Sequence, residues 1–223
     1  MSTQTNIYGI MGAGGFAREV IPVAYQMLTS FPDIRGCGLV FVVENPPEEQ
    51  RLIDGHEVIS ESDFVAMEAE NKYFNIAIAD GRTRERISNK MLGFDIKPFT
   101  ILAFDASISD DSEIGEGAIL SHFTTITSNA KIGRFFHLNI YSHVAHDCII
   151  GDFVTFAPRV CCNGRVVIED YAYIGTGAMI KQGTDEKPII IGKGSVVGMG
   201  AVVTKSVPPF TVVVGNPAVP INK

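Results

Sequence analysis

The residues best suited to chemistry are His146, Asp147 and Cys148, consecutive within Val144-Ala145-His146-Asp147-Cys148-Ile149. Histidine is the side chain that accepts a proton near neutral pH, and an adjacent carboxylate both orients the ring and raises its basicity. The pair therefore suits proton removal from an attacking group. A surface histidine beside a surface aspartate is the competing reading. Cys148 offers a nucleophile in principle, but its place among strand-like apolar residues favours a buried thiol.

The elements that must position these residues follow from a repeat. From Ile108, every sixth residue as far as Ile180 is apolar (Ile108, Ile114, Leu120, Ile126, Ile132, Leu138, Val144, Ile150, Phe156, Cys162, Ile168, Ile174, Ile180). The register resumes at Ile191, Val197 and Val203, so five residues are inserted within Lys181–Ile190. A period of six is neither that of a helix nor that of a half-exposed strand. It describes one short flat face and one bend; three faces close an eighteen-residue triangular coil, and successive coils stack about 4.8 Å apart. His146 falls near a bend, which directs its side chain outward. Eighteen residues on, one coil up in the same column, stands Gly164, whose bare N–H could receive a carbonyl oxygen. Base and oxyanion donor in one column are the minimum equipment of acyl transfer. Corrected for the insertion, the column continues through Gln182 to Lys205, a cation suited to a phosphate of a long ligand lying along the coils.

The first hundred residues read differently. Asn6–Met11 is expected to be a strand, Gly12-Ala13-Gly14-Gly15 a turn, and Phe16 to about Thr29 a helix. Further strands are expected at Gly38–Val43 and Phe74–Ala79, with a basic helix from Arg82 to Leu92. This β-α-β order implies a small parallel sheet with helical crossovers. Gly12 and Gly14 open a helix in the manner of a phosphate cradle, with a purely structural tight turn as the lesser alternative. Glu44 and Asp80 close two strands at the edge where open α/β sheets bind ligands; ordinary strand-end turn chemistry is their alternative role. About 100 residues cannot hold both halves of a dinucleotide fold, so a single nucleotide suits this unit better than a dehydrogenase cofactor. The expected division is residues 1–102, a small Rossmann-like α/β nucleotide-binding domain, and 103–223, an all-β parallel helix.

Composition narrows the class. With 46% hydrophobic and 19% charged residues the chain is neither disordered nor a charge-rich coiled coil. A net charge of -7 without a dense basic block argues against wrapping nucleic acid. There is no run of about 18 apolar residues to span a bilayer. Met1–Asn6 carries neither basic residues nor an apolar run, so no secretory signal is expected. Cysteines 37, 148, 161 and 162 lack C-x-x-C spacing, which favours reduced thiols in a cytoplasmic protein.

Gly12-Ala13-Gly14-Gly15-Phe16-Ala17-Arg18-Glu19, His146-Asp147-Cys148-Ile149-Ile150-Gly151-Asp152, Val202-Val203-Thr204-Lys205 and Val213-Val214-Gly215-Asn216-Pro217-Ala218, in that order, resemble the hexapeptide-repeat nucleotide-sugar N-acetyltransferases. That family includes the bacillosamine-pathway and perosamine enzymes and relatives of sialic-acid O-acetyltransferases. The resemblance implies a left-handed coil, whereas the usual rule for parallel crossovers is right-handed. It further implies a homotrimer with acetyl-CoA in the groove between neighbouring coils, and direct acetyl transfer to the amine of a nucleotide-linked amino-dideoxy sugar in surface-glycan or glycoprotein-sugar biosynthesis. UDP is the favoured nucleotide, GDP and dTDP the alternatives. By the same resemblance His146 is the base, Asp147 supports it, Asn139 contacts the sugar and the Gly164 N–H the thioester carbonyl. Gly12, Gly14, Gly15, Glu44 and Asp80 then hold the nucleotide.

Phe16 stands where some relatives have histidine, and Phe104-Asp105 replaces a His-Pro at the entry to the repeats. O-acetylation by the same base is the near alternative, a non-enzymatic trimeric scaffold a more distant one. A zinc hydratase is disfavoured because His137, His143 and His146 share no column, nor do His122 and His146 share a face. No metal is expected.

Overall fold

The computed structural model describes residues 6–30, 38–46 and 51–221. Cys37 and the first five residues, for which a reduced thiol and no leader are expected, lie outside the described residues. In the front unit β1 (Asn6–Met11), α1 (Gly15–Thr29), β2 (Gly38–Val43), β3 (Leu52–Ile53), β4 (His56–Ser60), α2 (Glu61–Ala66), β5 (Asn71–Ile76), α3 (Gly81–Leu92) and β6 (Lys97–Pro98) follow in order. The sheet order is β3-β4-β2-β1-β5-β6, parallel except for the β3–β4 hairpin. In α1 the buried residues Ala17, Val20, Ile21, Ala24 and Leu28 recur at helical spacing and form the stripe that packs on the sheet.

Two features of this unit differ from the sequence expectation. The strand expected at Phe74–Ala79 lies at Asn71–Ile76. Its polar start is held by pairing with β1, including an amide bond from Asn71 Nδ2 to Asn6 Oδ1 of 2.9 Å, and its end is cut short because Asp80 already caps α3. The hairpin and α2 were not expected at all. Asp54 and Gly55 both adopt positive φ in the hairpin turn, the geometry that Asp-Gly favours, and the Ser60 hydroxyl caps α2 by accepting from the Asp63 N–H.

From Ile101 the chain winds as a left-handed parallel β-helix of three ladders. The first face contains Ile101–Leu102, Ile119–Leu120, His137–Leu138, Thr155–Phe156, Tyr173–Ile174, Val196–Val197 and Val212–Val214. The second runs from Ser107–Ile108 to Val202–Val203, and the third from Glu113–Ile114 to Ile189–Ile191. From Ile119–Leu120 to Val202–Val203 the last residue of each short strand points inward, and these are the residues of the six-step repeat; from Leu120 onward they are buried. Residues at the bends adopt left-handed φ, among them Asn129, Asp147 and Arg165 in one column. The insertion is the loop between Met179–Ile180 and Ile189–Ile191.

The front unit covers the lower first face, where the outward residues Ile101, Ile119, His137 and Thr155 are buried. Two buried polar side chains bolt the units together. Asn75 Nδ2 donates to the carbonyls of Phe99, Gly117 and Ala118. Arg84, fully buried, donates to the carbonyls of Ile78, Ala79, Phe153 and Val154 and to the Thr155 hydroxyl. Burial draws its pKa down to about 9, and a guanidinium enclosed by oxygen acceptors remains charged at neutral pH.

Candidate active site

His146 and Asp147 form the bend between the second and third faces. The Asp147 carboxylate lies 2.7 Å from His146 Nδ1. Since the carboxylate only accepts, Nδ1 carries the hydrogen and the Nε2 lone pair is free to take a proton. Asn129, one coil below, donates to Asp147 Oδ1 at 2.8 Å, and Arg165, one coil above, approaches Oδ2 at 3.5 Å. The hydrogen bond from His146, then that from Asn129, hold the Asp147 carboxyl below its ordinary pKa. It is thus a fixed anion behind the ring.

Gly164 stands directly above. A Cβ placed there would lie 2.5 Å from both Cε1 and Nε2 of His146, so the imidazole occupies the space that only glycine leaves open. The Gly164 N–H donates to no acceptor among the described residues. The insertion caps this column: Gly183 N–H bonds to the Gly164 carbonyl at 3.0 Å, and Asp185 pairs with Arg165. Lys205 is exposed above the insertion. Cys148 is buried, its Sγ 4.0 Å from that of Cys162, and it donates to the Asn163 carbonyl. It faces the core and not the corner. Cys148→Ala is therefore expected to retain most of the wild-type kcat, read by thiol release from acetyl-CoA; loss of turnover together with retained activity in His146→Ala would reverse the two roles.

The remaining expected residues gather elsewhere. Gly12 requires its positive φ of 107° and donates to the Val42 carbonyl. Gly14 and Gly15 meet nothing within 4 Å of a built Cβ, so packing does not demand glycine there. The open space fronts the first turn of α1, which has no side-chain cap and no acidic residue, leaving its N–H groups to an anion. Glu44 leaves β2 on one side of this loop and Asp80 follows β5 on the other, both exposed. Asp80 caps α3 by accepting from the Thr83 N–H at 2.8 Å, and hydrogen bonding from the Thr83 side chain, then from its backbone, lowers the Asp80 pKa.

Between loop and coil lies a cleft of about 310 Å³ that includes Gly15, Phe16, Glu19, His137, Asn139 and Tyr173. It adjoins a second, of about 460 Å³, that includes Asp80, Arg82, Tyr171 and Phe210; Ala79, Thr155 and Tyr173 line both. Asn139 sits at the bend between the first and second faces. Within one chain, Asn139 and the glycine loop thus share a cleft, while His146, Asp147 and Gly164 occupy the next corner. Asn129 and Arg165 were not singled out from the sequence, although steps of eighteen residues from Asp147 reach both. Among the described residues no three His, Cys, Asp or Glu side chains converge to hold a metal ion, and no helix is long and apolar enough to cross a membrane.

A small parallel α/β sheet followed by a left-handed parallel β-helix of six-residue steps defines the fold class of the protein. Residues 8–91 match the family described as the PglD N-terminal domain. The chain is 51% identical to GDP-perosamine N-acetyltransferase of Escherichia coli O157:H7, across 96% of this chain and 95% of that protein. WeeI from Acinetobacter baumannii AYE superposes with a TM-score of 0.91 at 48% identity, over 97% of this chain and all of that one. The acetyltransferase domain of PglB from Neisseria gonorrhoeae FA1090, solved with acetyl coenzyme A, shares the fold, with a TM-score of 0.84 at 24% identity and the same coverage. The chain belongs to the nucleotide-sugar N-acetyltransferases and is an acyltransferase.

Proposed function

We propose that the protein transfers the acetyl group of acetyl-CoA directly to the amine of a nucleotide-linked amino-dideoxy sugar, in cytoplasmic synthesis of a surface-glycan precursor. The observation that carries this reading is the His146 imidazole, tied to Asp147 and pressed against Gly164. His146 Nε2 removes a proton from the amine as its nitrogen attacks the thioester carbonyl. The Gly164 N–H stabilises the oxyanion, and collapse expels the coenzyme A thiolate, which recovers the proton from the imidazolium. No covalent enzyme intermediate is required. Lys205 stands along the column for a phosphate of the coenzyme, and the front unit, which ends where the coil starts at Ile101 and so two residues before the expected boundary, holds the nucleotide through Gly12, Gly14 and Gly15 with Glu44 and Asp80 beside them.

The nucleotide is a GDP group and the first candidate substrate is GDP-perosamine, after the relative that matches along nearly the whole chain. The UDP preference expected from the family resemblance finds no support. A half-size nucleotide domain limits the number of nucleotides held and is silent on the base.

The separation of Asn139 from His146 supports a trimer. On the second face the outward residues are Ser107, Thr125, His143, Cys161, Met179 and Val202, with no Asp, Glu, Lys or Arg among them and with burial lowering the pKa of the one histidine. Three such faces set around an axis place the His146 corner of one copy against the Asn139 corner of the next, and so complete a site that each chain holds only in halves. UDP-, GDP- and dTDP-linked amino sugars offered with acetyl-CoA, followed by thiol release, test the reading. Fastest turnover is expected with the GDP-linked 4-amino sugar, and no turnover with any of them would overturn it.

A further inference from the structure

In the wall of the cleft under the glycine loop lies a buried acceptor that has no donor among the described residues. His137 projects from the first face and is only 1% exposed. Its Nε2 lies 2.9 Å from the Ile76 carbonyl. A carbonyl cannot donate, so Nε2 carries the hydrogen and Nδ1 is left as a lone-pair acceptor. Nδ1 is buried and has no partner among the described residues. Buried acceptors are ordinarily paired, and one that is not calls for a reason.

The surroundings supply one. His137 and Asn139 line the same cleft, and Asn139 Oδ1 already accepts from the Ile140 N–H at 2.8 Å, which leaves its amide Nδ2 as a donor. The Phe16 ring packs over the imidazole with centroids 5.2 Å apart. An acceptor and a donor two residues apart match a hydroxyl, which gives its hydrogen to one and takes a hydrogen bond from the other. We infer that His137 is a recognition residue of this cleft, accepting a hydrogen bond from a hydroxyl of the bound nucleotide sugar, with Phe16 as the ring that must yield to admit it. This inference rests on the proposed function. Burial, reinforced by the charge of Arg84, presses the pKa of His137 far down, so the ring is neutral. With its one hydrogen committed to Ile76 it does not serve as the base.

Two substitutions separate the ring nitrogens. Asn places an amide oxygen near the Nδ1 position, whereas Gln extends an amide nitrogen toward the Nε2 position and offers no acceptor at Nδ1. Affinities for GDP and for the nucleotide sugar that wild type turns over fastest would be measured by calorimetry, with thermal melts to confirm folding. H137Q is expected to weaken sugar-nucleotide binding about 10-fold and H137N to restore it to within about 3-fold. Unchanged GDP affinity in H137Q places the hydroxyl on the amino sugar; an equal loss for GDP places it on the ribose. Wild-type affinity in both variants, or equal losses in both accompanied by lowered melting temperatures, would overturn the inference and leave a core histidine only. If wild type binds no nucleotide sugar, function and inference fall together; binding by wild type with unaffected variants overturns the inference alone.

Discussion

His146→Asn is expected to lower kcat/KM roughly 100- to 10,000-fold, the range contributed by a positioned general base. Acetyl-CoA and the nucleotide sugar should still bind, because their proposed contacts along the column and in the front cleft do not include the imidazole. The loss should fall on kcat. It should also shrink at high pH, where the substrate amine loses its proton without help, so a kcat profile that rises with pH in the variant and levels off in wild type is the expected signature. Stability should change little, since the side chain sits at an open corner with a relative exposure of 41%.

Gly164→Ala tests the same arrangement from the opposite side. The new methyl group would stand 2.5 Å from two ring atoms of His146. It meets the far end of a rotatable side chain, and the Gly164 backbone lies outside the left-handed region, so the ring swings away while the fold persists. Displacement of a catalytic group by about 1 Å costs on the order of 100-fold, and a loss of that size in kcat is expected. The melting transition should move by less than the equivalent of about 1 kcal/mol. Gly183→Ala provides the contrast, because its methyl would strike the Arg165 carbonyl oxygen, a backbone atom that cannot step aside. Stability should fall in that variant. Wild-type activity in Gly164→Ala would mean that the imidazole does not work from this position.

The coil was legible because its inward residues recur at every sixth position from Ile108 to Ile180. Once three faces make one turn, addition of eighteen places Gly164 over His146, and the short insertion shifts that register without erasing it. The front unit was partly legible: β1, α1 and β2 carry strong patterns, whereas β3 and β4 are brief and mixed in polarity, and the polar start of β5 reads as loop until β1 pairs with it. Residues at the junction were not legible. His137 occupies an outward position that an isolated coil would leave in water, and only the docking of the front unit buries it. Arg84 lies in a run of basic residues that reads as a solvated helix face, yet it turns into the junction and meets five acceptors. Periodicity reports which way a side chain points from its own element. It says nothing of what arrives on that face from a remote part of the chain.

The central claim, that the His146 imidazole deprotonates a sugar amine for direct attack on acetyl-CoA, is tested most directly by the NMR spectrum of the product formed from acetyl-CoA and GDP-perosamine by wild type and by His146→Asn. The account predicts an amide on the sugar nitrogen with one thiol freed per acetyl group in wild type, and almost none of that product from the variant over the same interval. An ester on a sugar oxygen, or amide formation at equal rates by both proteins, would contradict it.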